Sequence, residues 1–117
     1  MPRTSELYLR DIIECCENVR EYIGSQSFDK FSGDRKTIDA VVRNLEIIGE
    51  AVKNIPDEVR QTRPEIEWKK VARFRDVIVH HYFKVDLEVV WDVVTNRLPE
   101  IETAAGEMLV ETAGQKE

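Results

Sequence analysis

Apolar residues recur every three or four positions along almost the whole of this chain, and that period commits it to helices. Leu9, Ile12, Ile13, Cys16, Val19 and Ile23 form one stripe, which predicts a first helix over Ser5 to Ile23 stopped by Gly24. Ile38, Val41, Val42, Leu45, Ile48, Ala51, Val52 and Ile55 form a second, which predicts a helix over Arg35 to Asn54 with Asp34 as its cap and Pro56 beyond its end. Between them, Ser25 to Lys36 reads as an ordered loop in which Ser27 caps a short turn and pins Phe28 and Phe31 to the body. Pro56 and Pro64 leave room for only a turn or two of helix, because proline excludes helical geometry before it and cannot donate within a helix.

Trp68 opens a third helix carrying Val71, Phe74, Val77 and Ile78 and finishing near Phe83. Asp86 then caps a fourth, with Leu87, Val90, Trp91, Val94, Leu98, Ile101, Ala105 and Met108 at helical spacing. Pro99 predicts a kink or a brief interruption in it, and the tail beyond Glu111 is expected to fray. No strand-like alternation, internal repeat or low-complexity tract appears. The expectation is therefore an all-α antiparallel bundle of four to five helices, one domain spanning residues 1–117. A chain of 117 residues is long enough to bury a core without disulfide or metal support.

The N-terminal run Met-Pro-Arg-Thr-Ser-Glu leads into no apolar signal core, and no segment approaches the ~20 apolar residues that span a bilayer. A cytoplasmic protein without membrane contact is expected. Cys15 and Cys16 are sequence neighbours, so a bridge between them would be strained and would close almost no loop; they read as free thiols, with Cys16 on the core stripe.

The formal charge is −6, which argues against indiscriminate nucleic-acid binding, but the signs are segregated. From Arg60 to Lys84 stand Arg60, Arg63, Lys69, Lys70, Arg73, Arg75 and Lys84 against Glu65, Glu67 and Asp76, giving +4 and leaving −10 for the remainder. Within this basic stretch lies Arg75-Asp76-Val77-Ile78-Val79-His80-His81-Tyr82. Arginine offers a planar fork of donors matched to phosphate, and histidine is the side chain whose ordinary pKa allows proton transfer near neutrality. Arg75 and His80 are thus candidates for phosphodiester chemistry without metal or cofactor.

If the helix continues through the motif, each residue turns it by about 100°, placing Tyr82 on the stripe of Arg75 and His80 about 140° away. His81 then falls on the core-facing side. Asp76, four residues before His80, would orient its ring and favour the protonated form. A phosphate held by both Arg75 and His80 then needs either the long arginine to fold around or a second copy of the helix; the second is preferred, and a two-fold homodimer supplies it. The residues alone equally describe a surface ion network ending in a packing tyrosine.

Several stretches together carry a wider resemblance: Tyr8-Leu9-Arg10-Asp11-Ile12, Ser27-Phe28-Asp29-Lys30-Phe31, Arg43-Asn44-Leu45-Glu46-Ile47-Ile48-Gly49-Glu50-Ala51, Pro64-Glu65-Ile66-Glu67-Trp68 and Tyr82-Phe83-Lys84-Val85-Asp86. From Leu9 to about Ile101 the sequence resembles the HepT-type branch of the HEPN superfamily, helical toxins encoded beside minimal nucleotidyltransferase antitoxins. The superfamily's motif is an arginine, a polar residue and a histidine four to six positions after the arginine, with a tyrosine two further on in this branch. Arg75, Asp76, His80 and Tyr82 match it, although Asp76 stands where similar members often carry asparagine.

The resemblance implies a HEPN-like homodimer and a metal-independent RNA endonuclease, with transfer RNA among its targets. It further implies a toxin of a type VII-like toxin–antitoxin pair, silenced when the cognate nucleotidyltransferase attaches AMP to Tyr82. In that reading Arg75 and His80 are catalytic and Asp76 supports them. The alternative is a non-catalytic helical module that binds a nucleotidyltransferase or a nucleotide, with Arg75 and His80 as phosphate contacts only.

Overall fold

The computed structural model of the chain describes residues 4–80 and 84–114, and the side chains of Arg75, Val77, Val79, His80 and residues 113–114 lie outside that description. The fold is an all-α bundle, interrupted by one two-residue ribbon. Helix α1 (Ser5–Ile23) buries Leu9, Ile12, Cys15, Cys16, Val19 and Ile23. It ends where Gly24 takes φ 55°, a left-handed value that glycine adopts without a Cβ penalty, while its N–H donates to the Arg20 carbonyl.

The short helix α2 (Phe28–Ser32) begins where Ser27 Oγ accepts the Lys30 N–H at 3.2 Å. Its Phe31 is fully buried. Both its rings pack on Trp91, with centroids 5.8 Å from Phe28 and 5.2 Å from Phe31. Helix α3 (Arg35–Lys53) starts at Asp34, whose carboxylate accepts the Thr37 N–H at 3.1 Å, the Thr37 hydroxyl at 2.7 Å and the Gln26 amide at 3.0 Å. Helix α4 (Asp57–Arg60) is the single turn allowed between the two prolines.

The third predicted helix is where sequence and structure part. It is two short helices, α5 (Trp68–Ala72) and α6 (Phe74–Ile78), separated at Arg73, whose φ of −110° and ψ of 24° close α5. Nor does it run to Phe83: Val79–His80 forms strand β1, antiparallel to β2 (Lys84–Val85), with Val79 opposite Val85 and His80 opposite Lys84. The β-branched residues Val77, Ile78 and Val79 are stiff at χ1 and weaken the end of α6, and the last of them opens the pleated ribbon.

The fourth helix begins as predicted, with Asp86 Oδ1 accepting the Val89 N–H at 3.1 Å. It runs as α7 (Leu87–Asp92), a π-helical turn at Val93–Arg97, and α8 (Leu98–Gly114). Pro99 is the second residue of α8 and has no N–H to donate back to the preceding turn. The widened turn before it, marked by the Leu98 N–H donating to the Val93 carbonyl, lets the chain continue.

Helix α1 packs against both α3 and α8, and α3 against α5 and α6. Leu9, Ile12, Phe31, Leu45, Ile48, Ile78, Ile101 and Met108 join one buried cluster. Gly49 allows a close crossing of α3 with α5, since a Cβ there would lie 3.2 Å from the carbonyl oxygens of Val71 and Ala72. Asn44 is buried between α1 and α3, donating to the Ala40 carbonyl at 2.8 Å and accepting from Asn18 at 3.2 Å. No helix among the described residues is long and apolar enough to cross a membrane.

Candidate functional site

The segment that carries Arg75 is anchored from below. Phe74 and Ile78 are both buried, so α6 is fixed on the core at each end. Ile78 is also the last helical residue, and its carbonyl accepts the Asp86 N–H at 2.7 Å, bringing the start of α7 against the end of α6. The ribbon follows at once, so the backbone of His80 is extended and paired with Lys84.

This alters the geometry expected for the motif. Arg75 belongs to a helix and His80 to a strand, so the angular separation of about 140° does not apply to them. The argument for a second copy of the helix drawn from that angle lapses with it. The relation of Asp76 to His80 as helical neighbours lapses for the same reason. Asp76 instead meets Arg73, whose Nε lies 3.4 Å from Asp76 Oδ2, an exposed pair of small energetic weight.

The side chains of Arg75 and His80 lie outside the described residues, as do Tyr82 and the core-facing position expected for His81. What the structure supplies is their support. Lys84, counted in the sequence only as one more cation, stands opposite His80 across the ribbon. On the other side of α6, Asp76 and Arg73 share a groove of about 360 Å³ with Arg43, Gly49 and Lys53 of α3. The close approach at Gly49 brings that wall of α3 up to the motif.

Two other features of the basic stretch have distinct roles. Arg63 is tied to α8, with Nε 3.1 Å from Glu107 and Nη2 2.6 Å from Glu111, and hydrogen bonding to Glu111 raises its pKa further. Trp68 is buried and its indole N–H donates to the Arg63 carbonyl at 3.0 Å, so the linker, α5 and α8 are braced as one unit. Sequence reading treated Arg63 only as charge; its pairing needed the α8 acids brought near by folding. Among the described residues, no group of three or more His, Cys, Asp and Glu side chains is placed to hold a metal ion.

A model of the family described as Ribonuclease HepT-like matches residues 12–108, which include Arg75, Asp76, His80 and Tyr82. A protein of Methanocaldococcus jannaschii named "Putative RNase MJ0127" is 39% identical over 110 residues, covering 94% of this chain and 91% of that protein. "Probable ribonuclease HepT" of Thermococcus cleftensis is 45% identical over 101 residues, covering 86% of this chain and 92% of that one. "Putative RNase TTE0752" of Caldanaerobacter subterraneus is 39% identical over 107 residues, covering 92% and 96% respectively. No solved structure gives a significant match.

Proposed function

This chain belongs to the ribonuclease HepT-like family, and we propose on that premise that it is a metal-independent RNA endonuclease whose reacting groups are Arg75 and His80. The single observation that carries the reading is that the family match spans the helix–ribbon junction bearing both residues. The anchoring of α6 by Phe74 and Ile78 supports it, since a catalytic pair must be held on rigid elements to act.

In the proposed reaction the ribose 2′-oxygen attacks its own phosphorus, and His80 takes the proton from that hydroxyl. Negative charge grows on the equatorial oxygens of the phosphorane, where the Arg75 guanidinium offers paired donors. The bond to the 5′-oxygen breaks, the proton held by His80 passes to that oxygen, directly or through a water molecule, and the products are a 2′,3′-cyclic phosphate and a 5′-hydroxyl. Asp76 tunes the electrostatics of the neighbouring groove through Arg73.

The finer assignments belong to the same proposal. The substrate is transfer RNA, and the active species is a two-fold homodimer. The protein acts as the toxin of a pair whose nucleotidyltransferase antitoxin places AMP on Tyr82. An added phosphate two residues beyond His80 would put negative charge where an RNA phosphate must approach, which accounts for silencing in electrostatic terms.

The test is to incubate purified protein with end-labelled transfer RNA and excess chelator and to identify the new ends. Cyclic phosphate and 5′-hydroxyl ends are expected. Binding of the RNA without such ends favours the interaction module, and 3′-hydroxyl ends overturn the 2′-oxygen mechanism.

A further inference from the structure

We propose that a basic strip on α4 and α5, made of the exposed Lys69 and Lys70 and the half-buried Arg60, is a binding surface for the sugar–phosphate backbone of the RNA, feeding the strand toward α6. This rests on the reading of the protein as a ribonuclease. It adds a substrate-positioning surface outside the Arg75 and His80 motif.

The placement follows from how α5 folds. Trp68 and Val71 turn inward and are buried, which forces Lys69 and Lys70 outward into solvent. With Arg60 from α4 they line an open groove of about 630 Å³. Lys69 has no ion pair among the described residues. Lys70 pairs with Glu67, at 3.2 Å and well exposed on both sides, a contact that a phosphate can displace. Arg60 has one terminal nitrogen on Asp57, while its Nε is buried and donates to no acceptor among the described atoms. A buried donor without a partner is costly, and a ligand oxygen in the groove would relieve it.

Charge and shape together select the occupant. The strip lies in the +4 stretch of the sequence, and Arg60, Lys69 and Lys70 outnumber Asp57 and Glu67 among the residues lining the groove, so this face is locally positive in a chain of net charge −6 and favours a polyanion. Trp68, the aromatic residue lining the groove, is 7% exposed and forms its floor, so it offers no face for base stacking. The contacts are therefore to phosphates and independent of base sequence. Helix α6 begins four residues after Lys70, so the strip lies a short span of backbone from Arg75.

The experiment measures binding of the full chain to a fully 2′-O-methylated oligoribonucleotide, which lacks the attacking hydroxyl and cannot be cut, as a function of salt. Neutralising two phosphate contacts in Lys69→Gln/Lys70→Gln should lower the slope of log affinity against log salt by about 1.4, at about 0.7 per contact for single strands. On unmodified RNA the same variant should raise KM with kcat near the parental value. Glu67→Gln, which frees Lys70, should tighten binding, a gain that a merely structural role would not give. If the parental protein binds and cuts RNA but these variants change neither slope nor KM, the strip is wrong while the ribonuclease reading stands. If the parental protein neither binds nor cuts RNA, that reading falls and the strip falls with it.

Discussion

Cys15 and Cys16 lie side by side in α1, and both are buried. Burial pushes the Cys15 thiol up to about 11, helped by Asp11 and Glu14, and the Cys16 thiol up to about 12, helped by Glu102. The thiolate is the nucleophile, so neither residue should react near neutrality. Alkylation by iodoacetamide at pH 8 is expected to be slow in the native protein and fast in denaturant; rapid native labelling would contradict this burial. Asp34 shows the opposite shift. Hydrogen bonds from the Thr37 hydroxyl, the Gln26 amide and the Thr37 N–H hold its carboxyl below the ordinary range. Its stabilising effect is complete above the unfolded value near 3.9 and is lost as pH falls through the lower folded value. Asp34→Asn, which cannot titrate, should therefore lose less stability than the parent on acidification below about pH 4; equal losses would remove the cap from the acid response. At this scale the caps at Ser27, Asp34 and Asp86 were legible, because each is a short polar side chain just before a helical stripe. Cys15 was not, since burial of α1 against both α3 and α8 widens its apolar arc beyond one stripe.

Among the elements, the segment from Trp68 to Val85 decides where the motif sits. Its apolar period continues through Arg73 and up to Ile78, so period alone reads it as one helix. The competing signal was present only from Val79 on, where β-branched and aromatic residues follow one another, since Val77 and Ile78 remain in α6. It prevailed because the ribbon also satisfies the Ile78 carbonyl through Asp86. Pro99 was read as a kink or a brief interruption, and the second is what the structure has, a π-helical turn at Val93–Arg97 between α7 and α8. Gly49 was seen only as part of a family-like stretch; its role depends on a crossing that no local pattern reveals. Gly49→Val should clash with the Val71 and Ala72 carbonyls and destabilise by about 1–3 kcal/mol, read as a lower urea midpoint. Because that crossing sets α5 and α6 against α3, cleavage should fall as well. An unchanged midpoint would mean that the contact yields without strain.

For the whole molecule, the bundle and its core were readable because helical period, caps and breakers agreed along most of the chain. The chemistry was readable only as residue types. Which cations reach solvent and which are spent on structure required the fold: Arg63 braces α8, whereas Lys69 and Lys70 stay outside. The homodimer rests on family resemblance now that the helical angle between Arg75 and His80 no longer supports it. Light scattering at low micromolar concentration should give twice the 13.6 kDa chain mass; a monomer that still cleaves RNA would show that one copy holds a complete site. The central claim is that His80 moves the proton in RNA scission, and a positioned acid or base typically contributes 10²- to 10⁴-fold. The most direct measurement is the chelator-resistant cleavage rate of transfer RNA by His80→Ala with its helical content verified. A fall of that size with the fold intact is the predicted result, and cleavage at the parental rate would contradict the account.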